Sequence, residues 1–212
     1  MKKLNLILAF ILTSVAVSCE EFTHPCTEWV EYIVYPEAVS GHWLWKSNGH
    51  RAIPGYYGTQ IRGNTLEFDF QFPDSSCIYD IDEDQSDWNK LYGITDFLDN
   101  IPTHSFRFSD RWFDDELQIG CYVHLGGDTL KAYIYPADIG EIVKGIIEIS
   151  KGEVIFKLIT EYGNFEEIIK DDRIKTSDTW WVLPRYFGGN RTASHPMKVN
   201  IKCKQLITAL DN

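Results

Sequence analysis

Two arginines on one extended segment, Arg107 and Arg111, have the residue type and spacing to bind an acidic ligand. The segment Ser105–Trp112 alternates polar with aromatic residues, and this period of two predicts a β-strand. In a strand, the two arginines project from one face with Ser109 between them, while Asp110 projects from the other face. Guanidinium groups hold carboxylates through forked hydrogen bonds. The pattern therefore predicts a site for an acidic ligand such as a uronate; the alternative is internal pairing of both arginines with Asp and Glu residues of the chain.

A dense run of carboxylates between Asp80 and Asp87 has the composition of a cation-binding loop. Calcium takes about six to eight oxygen ligands, which alternate Asp residues of one loop can supply. The candidate ligands are Asp80, Asp82, Asp84 and Asp87. Gln85 stands where an EF-hand loop has its glycine, and Leu91 stands where it has its closing glutamate. A structural calcium site is therefore one interpretation, and a solvated acidic loop is the default.

A second group of carboxylates raises the alternative of a glycan-active enzyme. Its members are Asp110, Asp114, Asp115 and Glu116. A glycosidase needs two carboxyl groups about 5 to 9.5 Å apart across the scissile bond, and sequence spacing does not show that any two of these converge. Non-catalytic binding of a polysaccharide or other glycan at the cell surface is therefore the leading hypothesis, with a glycan-active hydrolase or lyase and a structural or protein-binding component as alternatives, and no catalytic residue is assigned.

Aromatic residues make up 14% of the chain and include seven tryptophans. Sugars pack their C–H faces on aromatic rings while Asp, Asn and Arg bind the hydroxyls, although large aromatic side chains more often fill a core. Trp43 and Trp45 share a strand face by alternation, whereas the adjacent Trp180 and Trp181 must point to opposite faces, so that at least one of them is core. The predicted ligand-binding residues are Trp43, Trp45, Arg107, Arg111, Tyr186 and Asn190.

Several functions are disfavoured by motif and charge. The chain has no HExxH, GxSxG, Walker or GxGxxG motif, and its six histidines are scattered without metal-ligand spacing, so no cofactor is predicted. Its 20 basic residues face 31 acidic ones, a net charge of -11. Such a surface repels phosphate backbones, which excludes nucleic acid as a partner.

A period of two dominates the chain from about residue 29 onward. The clearest strands are predicted at Trp29–Tyr35, Thr65–Phe72, Ser105–Phe113, Leu117–Leu125, Leu130–Tyr135, Val143–Ser150, Glu153–Glu161, Phe165–Lys170 and from Met197 onward. Gly126-Gly127, Lys151-Gly152 and the slightly longer Tyr162-Gly163-Asn164 separate them as hairpin turns, which predicts an antiparallel meander from Glu116 to Lys170. Short helical turns are allowed at Ser86–Leu98 and Pro136–Lys144. The predicted fold is all-β: an antiparallel β-sandwich, jelly-roll-like, with a calycin-type β-barrel as the alternative.

Four cysteines follow residue 19, namely Cys26, Cys77, Cys121 and Cys203. They could form two disulfides outside the cytoplasm, with three connectivities. Cys121 and Cys203 lie on the apolar side of alternating strands and are predicted core residues. Free buried thiols are the equally weighted alternative to a bridge.

The N-terminal segment has the pattern of an export signal. Lys2 and Lys3 precede an apolar stretch too short to span a bilayer, and Ala16-Val17-Ser18-Cys19 closes it. This ending resembles the lipobox of bacterial lipoproteins, which implies lipidation of Cys19 and membrane attachment through its acyl chains. A plain secretory signal or a membrane anchor is the alternative.

This resemblance sets the predicted domains and location. Residues 1–18 are the predicted signal peptide, residues 19–27 a lipidated tether and residues 28–212 a single β-sandwich domain. Glu20 and Glu21 resemble the acidic export signals of Bacteroidota surface lipoproteins. The resemblance implies an outer-membrane lipoprotein that is exposed at the cell surface, with the periplasmic face as the alternative.

The C-terminal segment from Leu183 to Pro196, with its Tyr-Phe-Gly-Gly-Asn turn before the last strand, carries a further resemblance. Together with Asn89–Gly93 and the Ser105–Arg111 strand, it resembles a group of uncharacterised, secreted or lipidated bacterial β-proteins. Ser194-His195-Pro196 departs from the Ala-Pro-His-like order of that group. The resemblance implies an all-β domain and brings no activity with it.

Overall fold

The computed structural model of the chain is almost entirely β-strand and turn. It describes residues 28–34, 52–53, 59–81, 85–96, 101, 103–183, 185, 188, 193–204 and 207–208. The strands are β1 (Val30–Val34), β2 (Ala52–Ile53), β3 (Thr59–Arg62), β4 (Thr65–Gln71), β5 (Asn89–Thr95), β6 (His104–Phe113), β7 (Glu116–Leu125), β8 (Asp128–Ala137), β9 (Val143–Ser150), β10 (Glu153–Thr160), β11 (Gly163–Lys170), β12 (Thr179–Leu183), β13 (Met197–Cys203) and β14 (Ile207–Thr208). Within the described segments, one 3-10 turn covers Ser75–Cys77 and no α-helix is present.

The strands form two sheets that pack face to face. The first sheet has the order β11-β10-β9-β4-β13-β1-β2, and the second has the order β14-β3-β12-β5-β6-β7-β8. Neighbouring strands are antiparallel in both sheets. Each sheet ends in edge strands and does not close on itself, so the predicted jelly-roll-like β-sandwich is confirmed and the barrel alternative is wrong.

Alternation along the strands builds the core between the sheets. On β13, Met197, Val199 and Ile201 are buried and the residues between them are partly exposed. Phe108 of the second sheet contacts Phe68 and Phe156 of the first, with ring centroids 5.7 and 5.2 Å apart. Burying each such side chain stabilises the fold by about 1.5 to 3 kcal/mol. Aromatic rings from both sheets therefore join them.

The hairpins at Gly126-Gly127 and Lys151-Gly152 follow the predicted turns. The third turn is shorter than predicted: Thr160 pairs with Gly163, so Glu161 and Tyr162 form the turn, and Gly163 and Asn164 already belong to β11. Gly126 and Gly127 have φ values of +61° and +92°, which a two-residue turn requires and which only glycine adopts at low cost. The predicted meander from Glu116 to Lys170 is wrong at residues 138–142, where the chain leaves β8 in the second sheet and enters β9 in the first. The Gly140 amide donates to the Phe72 carbonyl (2.8 Å) and fixes this crossing.

Both suggested helical turns are wrong. Residues 86–98 contain strand β5, which lies between β12 and β6 in the second sheet. Leu91, Tyr92 and Ile94 are all buried there, and the register with β6 shifts between Lys90 and Tyr92. The bulge breaks the period of two and conceals the strand in the sequence. Residues 136–144 form the end of β8, a turn and the start of β9.

The described cysteines are separate thiols. Cys77, Cys121 and Cys203 are all buried and none is bridged to another, so the disulfide alternative is wrong among these three, and Cys26 lies outside the described residues. The predicted core positions of Cys121 and Cys203 are confirmed. Burial raises the pKa of Cys77 to about 11 and that of Cys121 to about 12.

Candidate functional site

Strand β6 presents its arginines as the alternation predicts. Phe106, Phe108 and Asp110 lie on its core side, whereas Arg107 and Arg111 point to the outer face of the second sheet. We use the name outer face for the side of the second sheet that faces away from the first. Arg107 is only 7% exposed although it lies on that face. The strand thus places one largely buried guanidinium on an outer surface.

Asp110 pairs internally with an arginine that the sequence analysis did not single out. Both Arg185 Nη atoms donate to the Asp110 carboxylate, the second one at 2.9 Å, and the exposed fractions are 1% for Asp110 and 3% for Arg185. Asn89 Nδ2 also donates to Asp110 Oδ2 (3.3 Å) and to the Tyr79 hydroxyl (3.2 Å). Internal pairing of charges therefore occurs on the core side of β6, with Arg185 as the partner.

This buried network also holds Gly188, the one described residue of the Tyr-Phe-Gly-Gly-Asn motif. The Gly188 amide donates to Asn89 Oδ1 (2.8 Å). A Cβ at Gly188 would collide with the Trp88 carbonyl oxygen and lie 2.7 Å from its carbon, so the position has room only for glycine. Arg185 is thus attached to Asp110 of β6 and Gly188 to Asn89 of β5, which gives Gly188 of the motif a structural role. The sequence feature that could have indicated this role is a charged residue, Arg185, close to a glycine-rich turn.

Five side chains meet on the outer face, and we name them the Tyr122 cluster: Lys90, Arg107, Tyr122, His124 and Lys131. Register places them on four adjacent strands, because Arg107 pairs across with Tyr122 and Tyr122 pairs across with Lys131. The Lys90 and Lys131 ammonium groups lie 4.1 and 5.2 Å from the centre of the Tyr122 ring, within the range of cation–π attraction. The Tyr122 and His124 ring centroids are 5.1 Å apart. Sequence reasoning found only Arg107 of this set.

The charges of the cluster repel one another. Burial, followed by the positive charge of Arg107 and Lys131, lowers the pKa of Lys90 to about 7, and the nearby Asp87 only partly offsets this. Burial, together with the charges of Arg107 and Lys90, lowers the pKa of His124 to about 4. His124 is therefore a neutral imidazole at neutral pH, and its Nδ1 lies 3.0 Å from the Ser105 hydroxyl.

Two glycines make room for this arrangement. A Cβ at Gly93 would collide with the Phe106 carbonyl oxygen and approach Arg107 Cα and Cγ to 2.6 and 2.7 Å. A Cβ at Gly120 would collide with the Ala132 carbonyl oxygen and lie 2.8 Å from the Trp88 ring. The missing side chains allow Arg107 and Trp88 to lie close against the sheet.

Arg111 has a different role from Arg107. Its Nε donates to Gln118 Oε1 (2.8 Å), its Nη1 donates to the Ser86 carbonyl (2.8 Å), and its guanidinium stacks 4.2 Å from the Trp88 ring. Four residues along a strand span about 13 Å. The structure therefore does not bring Arg107 and Arg111 together as one acidic-ligand site, and Arg111 instead holds the Trp88 ring in place.

The remaining carboxylates form no metal site in the described part of the chain. Asp80 is exposed and Asp87 lies 4.0 Å from Lys131, and the described segments contain no group of three potential metal ligands. Asp114 and Asp115, with φ values of +57° and +60°, form the exposed tip of the β6–β7 hairpin, and Asp110 is buried in its ion pair. Asp110 is therefore not accessible to a substrate, and a hydrolytic role for Asp114, Asp115 and Glu116 stays a prediction.

Several predicted site residues lie outside the described residues, so the structure does not place them. They are Cys19, Trp43, Trp45, Asp82, Asp84, Tyr186 and Asn190. Of the adjacent tryptophans, Trp180 is fully buried and Trp181 is partly exposed on the opposite face, as predicted. In the described part of the chain, no helix is long and apolar enough to cross a membrane.

Known proteins resemble this chain only in its overall fold. No protein-family profile matches it, and no curated protein is similar in sequence. A functionally unknown protein from Saccharomyces cerevisiae aligns with 13% identity and a TM-score of 0.49, over 86% of this chain and 96% of that chain. An alginate lyase from Klebsiella pneumoniae aligns with 10% identity and a TM-score of 0.45, over 73% and 61% of the two chains. An alginate lyase from Pseudomonas aeruginosa aligns with 10% identity and a TM-score of 0.43, over 87% and 98%. Because identities and TM-scores are this low, these likenesses assign no function to the chain.

Proposed function

We propose that this protein is a cell-envelope lipoprotein that binds an acidic, uronate-containing polysaccharide on the outer face of its second sheet. The observation that supports the proposal is the Tyr122 cluster, in which three basic side chains from adjacent strands surround one aromatic ring. Lipid attachment at Cys19 would hold the domain outside the cytosol, where such polymers occur. The binding module itself needs no catalytic residue.

The charge distribution favours an anionic ligand. The chain as a whole is acidic, with a net charge of -11, yet the cluster concentrates Lys90, Arg107 and Lys131 on one face. Burial, followed by repulsion from Arg107 and Lys131, lowers the pKa of Lys90, which means that the free site disfavours the full positive charge. A bound carboxylate would relieve this repulsion, and Arg107 is suited to a forked hydrogen bond with it.

The shape of the surface favours a polymer over a single small anion. The cluster extends over β5, β6, β7 and β8, which at about 4.8 Å per strand covers about 14 Å. Tyr122, at the centre of the cluster, adds a partly exposed ring with a hydroxyl group. An aromatic ring and a hydroxyl beside cations suit a sugar acid, which carries C–H faces, hydroxyl groups and a carboxylate.

Affinity measurements with the full-length protein test this function. We expect alginate or polygalacturonate oligosaccharides to bind in calorimetry and a neutral glucan oligosaccharide not to bind. Arg107→Met should weaken uronate binding by about 10- to 100-fold, because a hydrogen bond to a charged group contributes about 1.5 to 3 kcal/mol. Lys157→Met, on the outer surface of the first sheet, is the control and should bind like the unaltered protein. Equal binding of the neutral glucan, or an unchanged affinity of Arg107→Met, would contradict the proposal.

A second candidate function, β-elimination of the uronate chain, is favoured by the position of His124 and Tyr122 beside Arg107. A base removes the proton next to the carboxylate, the electron pair forms a C=C bond, and the glycosidic C–O bond breaks as the leaving oxygen gains a proton. Arg107 would neutralise the carboxylate, while the neutral His124 and the Tyr122 hydroxyl are candidate base and acid. Formation of an unsaturated, ultraviolet-absorbing product that is lost in His124→Ala would support this function. Tight binding with no product would leave the protein as a binding module.

A further inference from the structure

We propose that Lys90 takes up a proton as the acidic ligand binds, so that affinity for the ligand falls as the pH rises above neutrality. This inference rests on the proposed function, because it concerns the same face of the second sheet. It adds the uptake of a proton by Lys90, and the ligand could bind with or without this uptake.

The position of Lys90 makes it the most confined of the ammonium groups in the cluster. It lies on β5 directly across from Ser109 of β6, on the same face as Arg107. Its Nζ donates to the Trp88 carbonyl oxygen (3.0 Å) and lies 4.1 Å from the centre of the Tyr122 ring. Lys131, by contrast, is exposed. A proton on Lys90 therefore has less contact with water than a proton on Lys131.

Charged and titratable groups face Lys90 from every neighbouring element. Arg107 approaches from β6, and Lys131 approaches from β8. His124 and Tyr122 approach from β7, and His124 is neutral at neutral pH. Asp87, in the loop before β5, lies 4.0 Å from Lys131 and is the negative group that favours the charged form of Lys90. The repulsion from Arg107 and that from Lys131 each exceed the attraction of Asp87, and burial, the largest effect, also disfavours the charged form of Lys90.

These surroundings poise Lys90 to titrate near neutral pH. Burial is the main cause that lowers its pKa to about 7, and repulsion by Arg107 and Lys131 adds to it. An incoming carboxylate acts against the repulsion, because an opposite charge at a few ångströms favours the ammonium form. The pKa of Lys90 therefore rises on binding, and linkage requires that protons enter the complex at any pH between the free and bound values.

The pH dependence of ligand affinity follows from the pKa of Lys90 in the free protein and in the complex. Below about pH 7 the ammonium form already predominates in the free protein, and binding takes up little proton. Above that pH the free amine must first be protonated, so affinity drops by up to about tenfold for each further pH unit until the bound pKa is reached. His124 does not contribute in this range, because its pKa is about 4.

Calorimetry in two buffers with different ionisation enthalpies measures this proton directly. With the full-length protein and an alginate oligosaccharide at roughly pH 8, we expect uptake approaching one proton per site. Lys90→Arg keeps a permanent charge and should bind without proton uptake and with a flat pH profile in this range. Lys131→Met is the matched control; it should weaken binding and still take up the proton.

The possible results separate the inference from the proposed function. Binding without proton uptake in the unaltered protein, or the same uptake in Lys90→Arg, would overturn the inference and leave the ligand site intact. No binding of any uronate oligosaccharide would overturn both. Uptake that disappears in Lys90→Arg and persists in Lys131→Met would establish Lys90 as the proton acceptor.

Discussion

Replacement of Arg185 by methionine should destabilise the fold far more than loss of a surface charge. Arg185 and Asp110 are 3% and 1% exposed. Among the described residues, the substitution would leave the buried Asp110 carboxylate with Asn89 Nδ2 as its one side-chain donor, at 3.3 Å. Removal of one partner of a buried ion pair costs about 3 to 5 kcal/mol, because the remaining charge stays desolvated. With a urea dependence of about 3 kcal/mol per molar, the unfolding midpoint should fall by about 1 to 2 M.

Urea unfolding, followed by tryptophan fluorescence, is the assay, and two further variants make the result specific. In the double variant Asp110→Leu with Arg185→Met, the cost should be smaller than the sum of the single substitutions by more than about 1 kcal/mol, because no unpaired charge remains. Lys157→Met removes a surface pair with Glu148 (2.7 Å) and should cost less than about 1 kcal/mol. A cost below about 1 kcal/mol for Arg185→Met, or strict additivity in the double variant, would refute the buried pair as an anchor of the 185–188 loop.

Two further predictions concern the outer face. Gly93→Ala should destabilise the protein by about 1 to 3 kcal/mol in urea unfolding, because the new methyl group lies 2.6 Å from Arg107 Cα and displaces the guanidinium. An unchanged unfolding midpoint together with an unchanged affinity for uronates would contradict the close packing of Arg107 against Gly93. His124 should make stability fall as the pH drops from about 6.5 towards 4, because the folded-state pKa of about 4 is below the unfolded value and the unfolded chain binds the proton first. In His124→Gln, the loss of unfolding free energy over this pH range should be smaller by about 1 to 3 kcal/mol, after allowance for the partial exposure of His124. An identical pH profile of stability in the variant would show that His124 is not the group responsible.

The sandwich was predictable because most strands obey a simple period of two. Val143–Ser150 is predicted with the bounds that the structure gives, and Glu153–Thr160 and Met197–Cys203 differ from their predicted runs by about a residue. Strand β5 was missed because a register shift at Lys90–Tyr92 interrupts the alternation. The crossing at residues 138–142 was missed because a hairpin turn and a passage between sheets use similar turn residues.

The candidate site was only partly predictable because it is assembled across strands. Alternation predicted that Arg107 and Arg111 lie on one face, but it could not show that Arg111 would stack on Trp88 and donate a hydrogen bond to Gln118. Lys90 lies on a strand that the sequence concealed, and register alone brings Lys131 to Tyr122. Pairing partners are a property of the sheet order, which the pattern of a single strand does not contain.

The internal partner of Asp110 also could not be predicted from the sequence. Arg185 follows β12 and is separated from Asp110 by 75 positions, so no local pattern links them. The alternative of internal pairing concerned Arg107 and Arg111 and stays a prediction for them, whereas Asp110 pairs with Arg185. Arg107 lies on the opposite side of the same strand, in the Tyr122 cluster, and this difference between the two sides of β6 defines the candidate site.

A nuclear magnetic resonance titration of the isotopically labelled protein with a short alginate oligosaccharide tests the central claim most directly. If the outer face of the second sheet binds uronates, the chemical-shift changes should be centred on Lys90, Arg107 and Tyr122 and should decline towards Lys157 on the first sheet. Changes centred on the first sheet, or no changes at oligosaccharide concentrations that saturate calorimetric binding, would contradict it.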